Sequence, residues 1–489
     1  MARTTLACVA ALLIAGTATS FRAVDREPQP TSRPRNVIFI LSDDHRYDFM
    51  GFHPDAPEWL QTPALDRMAA NGAHLANAFV TTALCSPSRA SILTGRYAHK
   101  HGVVDNTSAI PKGTMFFPQY LQKAGYRTAY IGKWHMGEDA ESDQPRAGFD
   151  HWISFKGQGT YTNPVLNVNG ERRQAQGYTT DILTDSALSW LEQQRNQASP
   201  FFLYLSHKAV HAEFDPATRH QGRYGQVKIP YPDTMADTES NYREKPRWVE
   251  AQRNSWHGVD YMYHGQFDFD TFYRRYAETL LALDESVGRV LDFLEKSGLA
   301  QNTLVIYMGD NGFLLGEHGL IDKRNAYEES MRVPMLAYAP GMIAAGSKVS
   351  SVIRNIDVAP TILELAGAKP EHDMDGRSQL AAMRGTAVSG SEPFLYEYYW
   401  EYAFPHTPTT FALRGDRYKY IFYHGVWDVN EFYDLQTDPR ERSNLINVPS
   451  YQKQIDQMRT RLFDRLEATG GMQVPVRRGN WQAGERRRR

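Results

Sequence analysis

A short stretch near the start of the chain gathers several reactive side chains. One thiol, two hydroxyls, a proline and a guanidinium fall within Cys85–Arg89, at the start of an apolar-periodic segment, Leu84–Arg96. Proline suits a first helical turn, so the spacing predicts a helix that begins here. A helix N-terminus offers backbone N–H groups to an anion, and Arg89 would add a planar fork that matches oxyanion geometry. Two interpretations follow: a site for a tetrahedral anion, or a small core cysteine beside a helix cap.

Oxygen-bearing side chains follow two of the predicted strands. Asp43 and Asp44 come directly after one apolar run, and Asp310 and Asn311 follow another, much later in the chain. Because ligands gather at the carboxyl ends of strands in open α/β sheets, the four converge if the two strands are neighbours. Carboxylate and amide oxygens suit a hard cation, Ca²⁺ first and Mg²⁺ second, since no set of histidines and thiolates competes for zinc. For the Asp43–Asp44 pair alone, the other interpretation is a solvated loop with an N-cap aspartate.

Basic residues also follow predicted strands. Lys133 and His135 come after one strand, His207 and His211 come after the next, and Lys323 lies in a later loop. Histidine can exchange protons near neutral pH, which lysine and arginine ordinarily do not. Either His207 or His211 could face a pocket. A surface lysine beside a structural histidine is the alternative for each pair taken alone.

The positions of these side chains depend on an α/β scaffold. We predict a large, mostly parallel sheet flanked by helices, with a smaller C-terminal α+β domain that contains an antiparallel sheet. Short apolar runs predict the strands of the large sheet, at 36–41, 126–131, 201–205, 303–308 and 333–339. Periodic segments predict a capped helix at 62–69 and further helices at 117–124, 186–194 and 280–298, and one that begins at Ile356. In the C-terminal domain we predict strands at 394–400, 411–414, 418–423 and 431–435, and a helix at 449–468.

The order of segments suggests an exported protein. We predict a signal peptide at 1–20, a linker at 21–35, a main domain at 36–385, a C-terminal domain at 390–475 and a basic tail at 476–489. The apolar run 6–16 is too short to span a membrane, and small residues near Ser20 suit cleavage; an uncleaved anchor is the alternative. We therefore expect a secreted or periplasmic protein with no integral membrane span after processing.

Charge and cysteine content narrow the function. The chain has 489 residues and a formal net charge of −2, which gives no global reason to expect a nucleic-acid partner, so any anion site must be local. Processing would remove Cys8 and leave Cys85 as the only cysteine, which is then either inert or chemically employed. The segment 213–276 is rich in aromatic and polar residues without clean periodicity. It is predicted to be either a substrate lid suited to a sugar or a solvated insertion.

The reactive stretch resembles the signature of the type I sulfatase family, within the alkaline phosphatase-like superfamily. Cys85-Ser86-Pro87-Ser88-Arg89 and the tail Leu93-Thr94-Gly95-Arg96 match it at every defining position, and Gly132-Lys133-Trp134-His135 resembles a second family segment. In that family a dedicated enzyme oxidises the cysteine to formylglycine, so the resemblance implies that Cys85 is an aldehyde in the mature protein and that a formylglycine-generating enzyme is a partner. It also implies one Ca²⁺ beside this group, held by Asp43, Asp44, Asp310 and Asn311, with Cys85 contributing to the site.

The resemblance further implies a mechanism. One hydroxyl of the hydrated aldehyde attacks sulfur while His211, with Lys323 nearby, assists the departing alcohol. His135 then helps to expel sulfate and restore the aldehyde. Arg89 and Lys133 join Lys323 in supplying positive charge around the sulfate.

Within the family, the chain resembles the N-acetylglucosamine-6-sulfatase and heparan-type branch. The residues that carry this resemblance are Cys85–Asn106 and Asp322-Lys323-Arg324 followed by Tyr327-Glu328. The resemblance implies a sulfated carbohydrate substrate, with 6-O-sulfated N-acetylglucosamine as the leading expectation. Two alternatives stay open: a phosphonate monoester or phosphodiester hydrolase that shares the fold, and a non-catalytic protein that binds sulfated glycans with Cys85 unconverted.

Overall fold

The computed structural model describes residue 1 and residues 36–137, 143–265, 267–386 and 392–475. The predicted signal peptide after Met1, the linker at 21–35 and the basic tail at 476–489 lie outside the described residues. Across the described part of the chain, no helix is both long enough and apolar enough to cross a membrane.

Ten strands form one large sheet, and four more form a separate antiparallel sheet near the C-terminus. The strands within the described residues are β1 (Asn36–Ser42), β2 (Ala73–Leu75), β3 (Ala78–Phe79), β4 (Arg127–Lys133), β5 (His151–Phe155), β6 (Val165–Val168), β7 (Glu171–Gln174), β8 (Phe201–Ser206), β9 (Thr303–Gly309), β10 (Leu314–Leu315), β11 (Ile321–Asp322), β12 (Met335–Tyr338), β13 (Ser347–Val349), β14 (Ile353–Arg354), β15 (Phe394–Tyr398), β16 (Thr410–Arg414), β17 (Tyr418–Tyr423) and β18 (Glu431–Asp434).

Helices cover both faces of the large sheet. The α-helices within the described residues are α1 (Pro63–Ala70), α2 (Cys85–Thr94), α3 (Ala98–His101), α4 (Phe117–Lys123), α5 (Thr179–Gln194), α6 (Glu239–Tyr242), α7 (Arg247–Ala251), α8 (Phe269–Lys296), α9 (Glu328–Met331), α10 (Val358–Ala366), α11 (Leu380–Met383) and α12 (Gln452–Thr469). Short 3₁₀ helices lie at Met262–Gly265, Ala300–Asn302, Glu317–Gly319, Asn355–Asp357 and Pro449–Tyr451.

The large sheet has a parallel centre and antiparallel flanks. Its order is β13-β2-β12-β9-β1-β8-β4-β5-β6-β7. The five central strands, from β9 to β5, run parallel, whereas β12 pairs antiparallel with β9 and β6 pairs antiparallel with β5. The predicted α/β class and the second, antiparallel sheet are confirmed. The sheet is nevertheless mixed, because antiparallel pairs of strands lie on both sides of the parallel centre. Antiparallel pairs need no helical crossover between their strands.

The core is divided between the two faces of this sheet. Alternate residues of β1 point to opposite sides: Phe39 packs in one hydrophobic cluster with α2, α4 and α10, and Ile40 packs in another with α1, α5 and α8. All seven residues of β1 are buried. A strand covered on both faces reads as a continuous apolar run, which is why the sequence pattern located β1, β4, β8 and β9, whereas β5 was not predicted.

Two features of the helices differ from the sequence prediction. Helix α8 begins at Phe269, well before the predicted 280, so residues 269–276 belong to this helix and not to an irregular insertion. Thr62 precedes α1 but makes no side-chain cap hydrogen bond. The backbone N–H groups of Ala64 and Leu65 instead donate to the carboxylate of Asp284 on α8, at 3.0 and 2.8 Å. A distant residue thus caps α1, which no local pattern could indicate.

The four-stranded sheet, in the order β15-β16-β17-β18, packs between the large domain and α12. Tyr396 and Ala412 lie in the same hydrophobic cluster as Phe39, whereas Leu395 and Leu413 pack on the opposite face against Leu462 and other residues of α12. The small sheet therefore buries one face against the main body and the other against a helix.

Candidate active site

The predicted carboxylates converge at the ends of two adjacent parallel strands. Strands β1 and β9 pair in register, with Ser42 opposite Gly309, so the residues that follow each strand are brought together. Asp43, Asp44 and Asp310 are buried, and each offers a carboxylate oxygen within 4.8 Å of the other two. The backbone N–H of Asp44 also donates to Oδ1 of Asp310, at 3.1 Å. The convergence predicted from the sequence is thus present.

Cys85 is the first residue of α2 and faces this cluster. The helix starts after extended Leu84 and ends at Gly95, whose φ of +67° is a left-handed conformation that glycine adopts readily. The Cys85 thiol donates to Oδ1 of Asp43, with Sγ and Oδ1 3.5 Å apart. Asp43, Cys85 and His211 also form a group with possible ligand atoms within 4.8 Å of one another. Burial, with the negative charge of Asp43, raises the pKa of the Cys85 thiol far above its ordinary value, so the unmodified side chain is a protonated and weak nucleophile.

The first turn of α2 is less open to an anion than its sequence suggests. The backbone N–H of Ser86 donates to Oδ1 of Asn106, at 3.1 Å. The Ser86 hydroxyl donates to the backbone carbonyl of His135. These bonds fix the helix start to the loops after α3 and after β4, so the positive charge available to a ligand comes chiefly from side chains.

Arg89 is the structural centre of the site. Its Nε donates to Oδ2 of Asp310 at 2.9 Å, and Nη2 contacts the same oxygen at 2.8 Å and Oδ2 of Asp43 at 3.3 Å. Nη1 donates to the Lys133 carbonyl at 2.6 Å and to the Ser206 hydroxyl at 2.7 Å. Burial disfavours the charge, but the two carboxylates outweigh it and raise the pKa of Arg89, which stays cationic. The guanidinium joins α2 to the ends of four strands, β1, β4, β8 and β9.

Two buried lysines pair with the adjacent aspartates. Nζ of Lys133, at the end of β4, contacts Oδ2 of Asp43. Nζ of Lys323 donates to both carboxylate oxygens of Asp44, each at 2.7 Å. Burial raises the pKa of Asp43, but Lys133 and the surrounding cations outweigh it and hold that pKa well below its usual value. Burial raises the pKa of Asp44 more than Lys323 lowers it.

The structure separates the two candidate histidines after β8. Nε2 of His211 lies 3.9 Å from Oδ2 of Asp44, and its Nδ1 is 2.6 Å from the Ala212 carbonyl. Nε2 of His207 instead lies 3.0 Å from the Ser286 hydroxyl on α8, on the face of the sheet that α8 covers. Of the two, His211 is therefore the one that faces the carboxylates, whereas His207 is a core residue.

Both histidines near the site are held neutral by their surroundings. Burial lowers the pKa of His135 well below its usual value, and the nearby Lys133 lowers it further. Burial likewise lowers the pKa of His211, with Lys133, Lys323 and Lys208 adding to the effect. Neutral imidazoles that are hard to protonate can accept protons from a reacting group and return them readily.

Three supporting residues were not identified as such from the sequence. Ser206, the last residue of β8, holds the Arg89 guanidinium. Lys208 is buried, its Nζ lies 4.7 Å from the centre of the Tyr161 ring, and burial lowers its pKa to about 8. The Tyr161 hydroxyl donates to the His211 carbonyl at 2.5 Å. Ser206 could have been proposed from its strand-end position, but nothing in the sequence near Tyr161 indicates its role.

The loop that carries Lys323 is supported on two sides. His257, from the aromatic insertion, has Nδ1 2.8 Å from Oδ2 of Asp322, and its carbonyl accepts the Ile321 N–H at 2.7 Å. Arg324 donates to Oε1 of Glu401, from the loop after β15, at 2.8 Å. Part of the insertion thus forms a wall beside the site, whereas its role as a lid stays a prediction.

The residues at the strand ends suit a hard cation. The Asn311 amide donates from Nδ2 to Oδ1 of Asp44 at 2.6 Å, which leaves its Oδ1 buried and without a hydrogen-bond partner among the described residues. A buried amide oxygen beside three carboxylates matches the oxygen-rich ligand sets of Ca²⁺ and Mg²⁺. Cys85 and His211 bring one sulfur and one ring nitrogen close to Asp43, but the oxygens of Asp43, Asp44, Asp310 and Asn311 outnumber them, which favours a hard cation over zinc.

A buried thiol at a helix start, three carboxylates and a ring of buried cations are suited to binding an anionic ester. The chain belongs to the sulfatase family and is a sulfuric ester hydrolase. The model of the Sulfatase family matches residues 35–368, more than half of the chain. A second model, described as N-sulphoglucosamine sulphohydrolase, C-terminal, matches residues 316–468 and so includes the small sheet.

Two similar proteins extend this assignment. An N-acetylglucosamine-6-O-sulfatase from Bacteroides thetaiotaomicron is 33% identical over 87% of this chain and 85% of its own. A solved structure of a protein in complex with its substrate D-glucosamine-2-N,6-O-disulfate is 31% identical, with a TM-score of 0.82 over 90% of this chain and 99% of its own. The resemblance to the sulfatase family inferred from the sequence is confirmed.

The fold is also shared with phosphonate monoester hydrolases. The enzyme of that name from Agrobacterium radiobacter superposes with a TM-score of 0.74 over 89% of this chain and 96% of its own. Its sequence identity of 20% makes this a likeness of fold alone.

Proposed function

We propose that this sulfatase removes 6-O-sulfate from glucosamine residues of a sulfated glycan, with a formylglycine made from Cys85 as nucleophile and Ca²⁺ as cofactor. The observation that carries the proposal is the position of Cys85, 3.5 Å from Oδ1 of Asp43 at the edge of a cation-lined carboxylate cluster. The names of the similar proteins support glucosamine as the sugar and the 6-position as the sulfated one.

The proposed calcium ligands are Asp43, Asp44, Asp310 and Asn311, together with the residue at position 85. The unpartnered buried Oδ1 of Asn311 supports this assignment. A bound divalent cation would polarise the sulfate oxygens and favour charge development on them. Three carboxylates and one amide are hard oxygen ligands, which favours Ca²⁺ over softer metals.

The side chains around the cluster have proposed roles in binding sulfate. Lys133 and Lys323 bring buried ammonium groups that can contact the sulfate oxygens. Arg89 holds the carboxylates and the first turn of α2 in place, since its guanidinium contacts both Asp43 and Asp310. Removing the sulfate from water in a buried site strengthens each of these interactions.

Two histidines have proposed roles in moving protons. His211 lies beside Asp44 and Cys85, where, with Lys323 nearby, it can take a proton from the attacking hydroxyl at position 85 and pass it to the departing alcohol oxygen. His135 is tied to the α2 start through Ser86, with Nδ1 3.5 Å from the Ser86 hydroxyl. From this position it can accept a proton from the hydroxyl at position 85 when sulfate leaves.

The remaining assignments are also proposals. A formylglycine-generating enzyme would act on the chain during maturation, and the predicted signal peptide would direct export to the periplasm or medium. The proposed domain boundaries remain 36–385 and 390–475, and the part of 213–276 that precedes α8 is a candidate lid.

The decisive experiment combines peptide mass with turnover of defined substrates. Protein from its native host should give a Cys85 peptide with the mass of the aldehyde, and should release sulfate from 6-O-sulfated glucosamine faster than from other positions in a panel of sulfated sugars. Cys85→Ala should abolish turnover and keep the fold, because the replacement is small and the pocket is preorganised by Arg89. An unmodified thiol in active protein, or activity that survives in Cys85→Ala, would overturn the proposed nucleophile.

The alternative phosphonate activity is tested in parallel. Purified enzyme is compared on an aryl sulfate and an aryl phosphonate with the same leaving group. A strong preference for the phosphonate would contradict the sulfatase assignment of this site, whereas a preference for the sulfate supports it.

A further inference from the structure

A cleft with a volume of about 560 Å³ lies between α7 and the loops that follow β15 and β17. Its lining includes Arg247 from α7, Trp400 and His406 from the first loop, and His424 and Trp427 from the second. None of these residues belongs to the site at the strand ends. We propose that this cleft binds further sugar residues of the same sulfated glycan, beyond the sugar that loses its sulfate; the proposal rests on the proposed function.

The exposed tryptophans of the cleft are the first line of support. Trp427 is fully exposed and Trp400 is 47% exposed. Burying a large aromatic side chain normally stabilises a fold, so two indoles left in water at one cleft indicate a surface made for a ligand. A flat indole presents an apolar face to the C–H groups of a sugar ring, while its edge and neighbours offer hydrogen bonds.

The charges of the cleft suit an anionic sugar. The carboxylate of Asp428 accepts the backbone N–H groups of Arg247 and Val429, at 2.6 and 2.8 Å, so its oxygens are used within the fold. Among the residues that the structure describes, the Arg247 side chain has no carboxylate within ion-pair distance, so its guanidinium can meet a sulfate or carboxylate of the ligand. Asp428 keeps its negative charge, and Arg247 is the position at which a sulfate or carboxylate of the oligosaccharide would be held.

Direct contacts join this cleft to the site at the strand ends. Glu401, which follows Trp400, accepts a hydrogen bond from Arg324 at 2.8 Å, and Arg324 follows Lys323. The Arg324 guanidinium also lies 3.8 Å from the centre of the Phe404 ring, within the loop that lines the cleft. One buried ion pair therefore connects the wall of the cleft to the loop of Lys323, and we propose that one glycan chain extends from the site to the cleft.

The test uses Trp427→Ala and Arg247→Gln in the full-length enzyme. The readout is kcat/KM on a hexasaccharide that carries 6-O-sulfated glucosamine, divided by kcat/KM on the 6-O-sulfated monosaccharide. Each variant should lower this ratio about five- to tenfold, mainly through KM for the hexasaccharide, as expected for the loss of one aromatic or ionic contact. The matched control is Met472→Ala, which removes another exposed apolar side chain, outside both the cleft and the aromatic insertion, and should leave the ratio unchanged.

A ratio that stays unchanged in both cleft variants would overturn the proposal, and so would an equal loss on both substrates. A binding measurement distinguishes the failure of this proposal from the failure of the proposed function. Titration of the hexasaccharide into Cys85→Ala protein, followed by calorimetry, should give an affinity about fivefold higher than in the double variant with Trp427→Ala. If the wild-type enzyme hydrolyses no sulfated sugar but this difference persists, the proposed substrate fails and the cleft stands. Equal affinities of the two proteins, or no binding to either, would contradict the proposed role of the cleft.

Discussion

Replacement of Arg89 by lysine tests whether the fork of the guanidinium, and not only its charge, organises the site. Arg89 satisfies four buried acceptors: the carboxylates of Asp310 and Asp43, the Lys133 carbonyl and the Ser206 hydroxyl. A lysine ammonium has three N–H donors on one atom and a different reach, so at least one acceptor loses its partner. An unsatisfied buried polar group costs about 1–3 kcal/mol, and more when it is charged. We expect Arg89→Lys to lower the free energy of unfolding by about 2–4 kcal/mol.

The measurement is chemical denaturation followed by tryptophan fluorescence, together with kcat on the best sulfated sugar. Turnover should fall by at least about tenfold, because displaced carboxylates misplace the reacting groups. Arg96→Lys is the matched control, since Arg96 lies in the same segment and its Nε makes a hydrogen bond to the Asp373 carbonyl, at 2.9 Å, on the exposed side of the molecule. If Arg89→Lys has the same free energy of unfolding and the same kcat as the wild type, the planar geometry of the guanidinium is not what organises the site.

Three further predictions address the metal, a helix cap and a titrating contact. Dialysis against a calcium chelator should lower both turnover and the melting temperature, and added Ca²⁺ should restore them more fully than Mg²⁺ does. Asp284→Ala should lower the free energy of unfolding by about 2–3 kcal/mol, since the N–H groups of Ala64 and Leu65 lose their acceptor; an effect below about 0.5 kcal/mol would contradict the cap. Burial lowers the pKa of His99, but its hydrogen bond to Glu397 outweighs this and raises it, so this stabilisation is present below the unfolded pKa of about 6.5 and is lost as pH rises through the folded value. Unfolding titrations of wild type and His99→Gln across that window should differ in slope, and parallel curves would refute the assignment.

The central strands could be predicted because burial on both faces leaves a simple pattern. β1, β8 and β9 are buried along their whole length and follow the predicted runs within about two residues. The short edge strands were missed for the opposite reason. β7 is exposed at all four positions and contains Glu, Arg, Arg and Gln, which carry no apolar periodicity. Its strand conformation comes from pairing with β6 and not from its own sequence.

Site residues could be predicted where they directly follow a strand. They were harder to predict where their role depends on the direction in which the side chain points. Asp43 and Asp310 needed only the adjacency of β1 and β9 to converge. The residues after β8 left His207 and His211 as alternatives, and only the resemblance to the family favoured His211. The structure separates them, because one side chain meets Ser286 and the other points toward Asp44. Long-range partners decide such orientations, and local sequence does not encode them.

Residues of the small C-terminal sheet, and of the loop after β15, support the loop that carries Lys323. The strands of that sheet come later in the chain than β1 and β9, which position the carboxylates. Arg324, next to Lys323, pairs with Glu401 beyond β15. Glu328 at the start of α9 accepts from Arg414 on β16 and is also paired with Lys419 on β17, 3.1 and 3.0 Å away. All these groups are buried, and removing one side of a buried ion pair costs several kcal/mol because the remaining charge is left unpaired. A fragment that ends before the small sheet would therefore expose these charges and loosen the loop that carries Lys323. The two sheets are separate in the fold, but buried ion pairs join the small sheet and its loops to the loop that carries Lys323 and to α9.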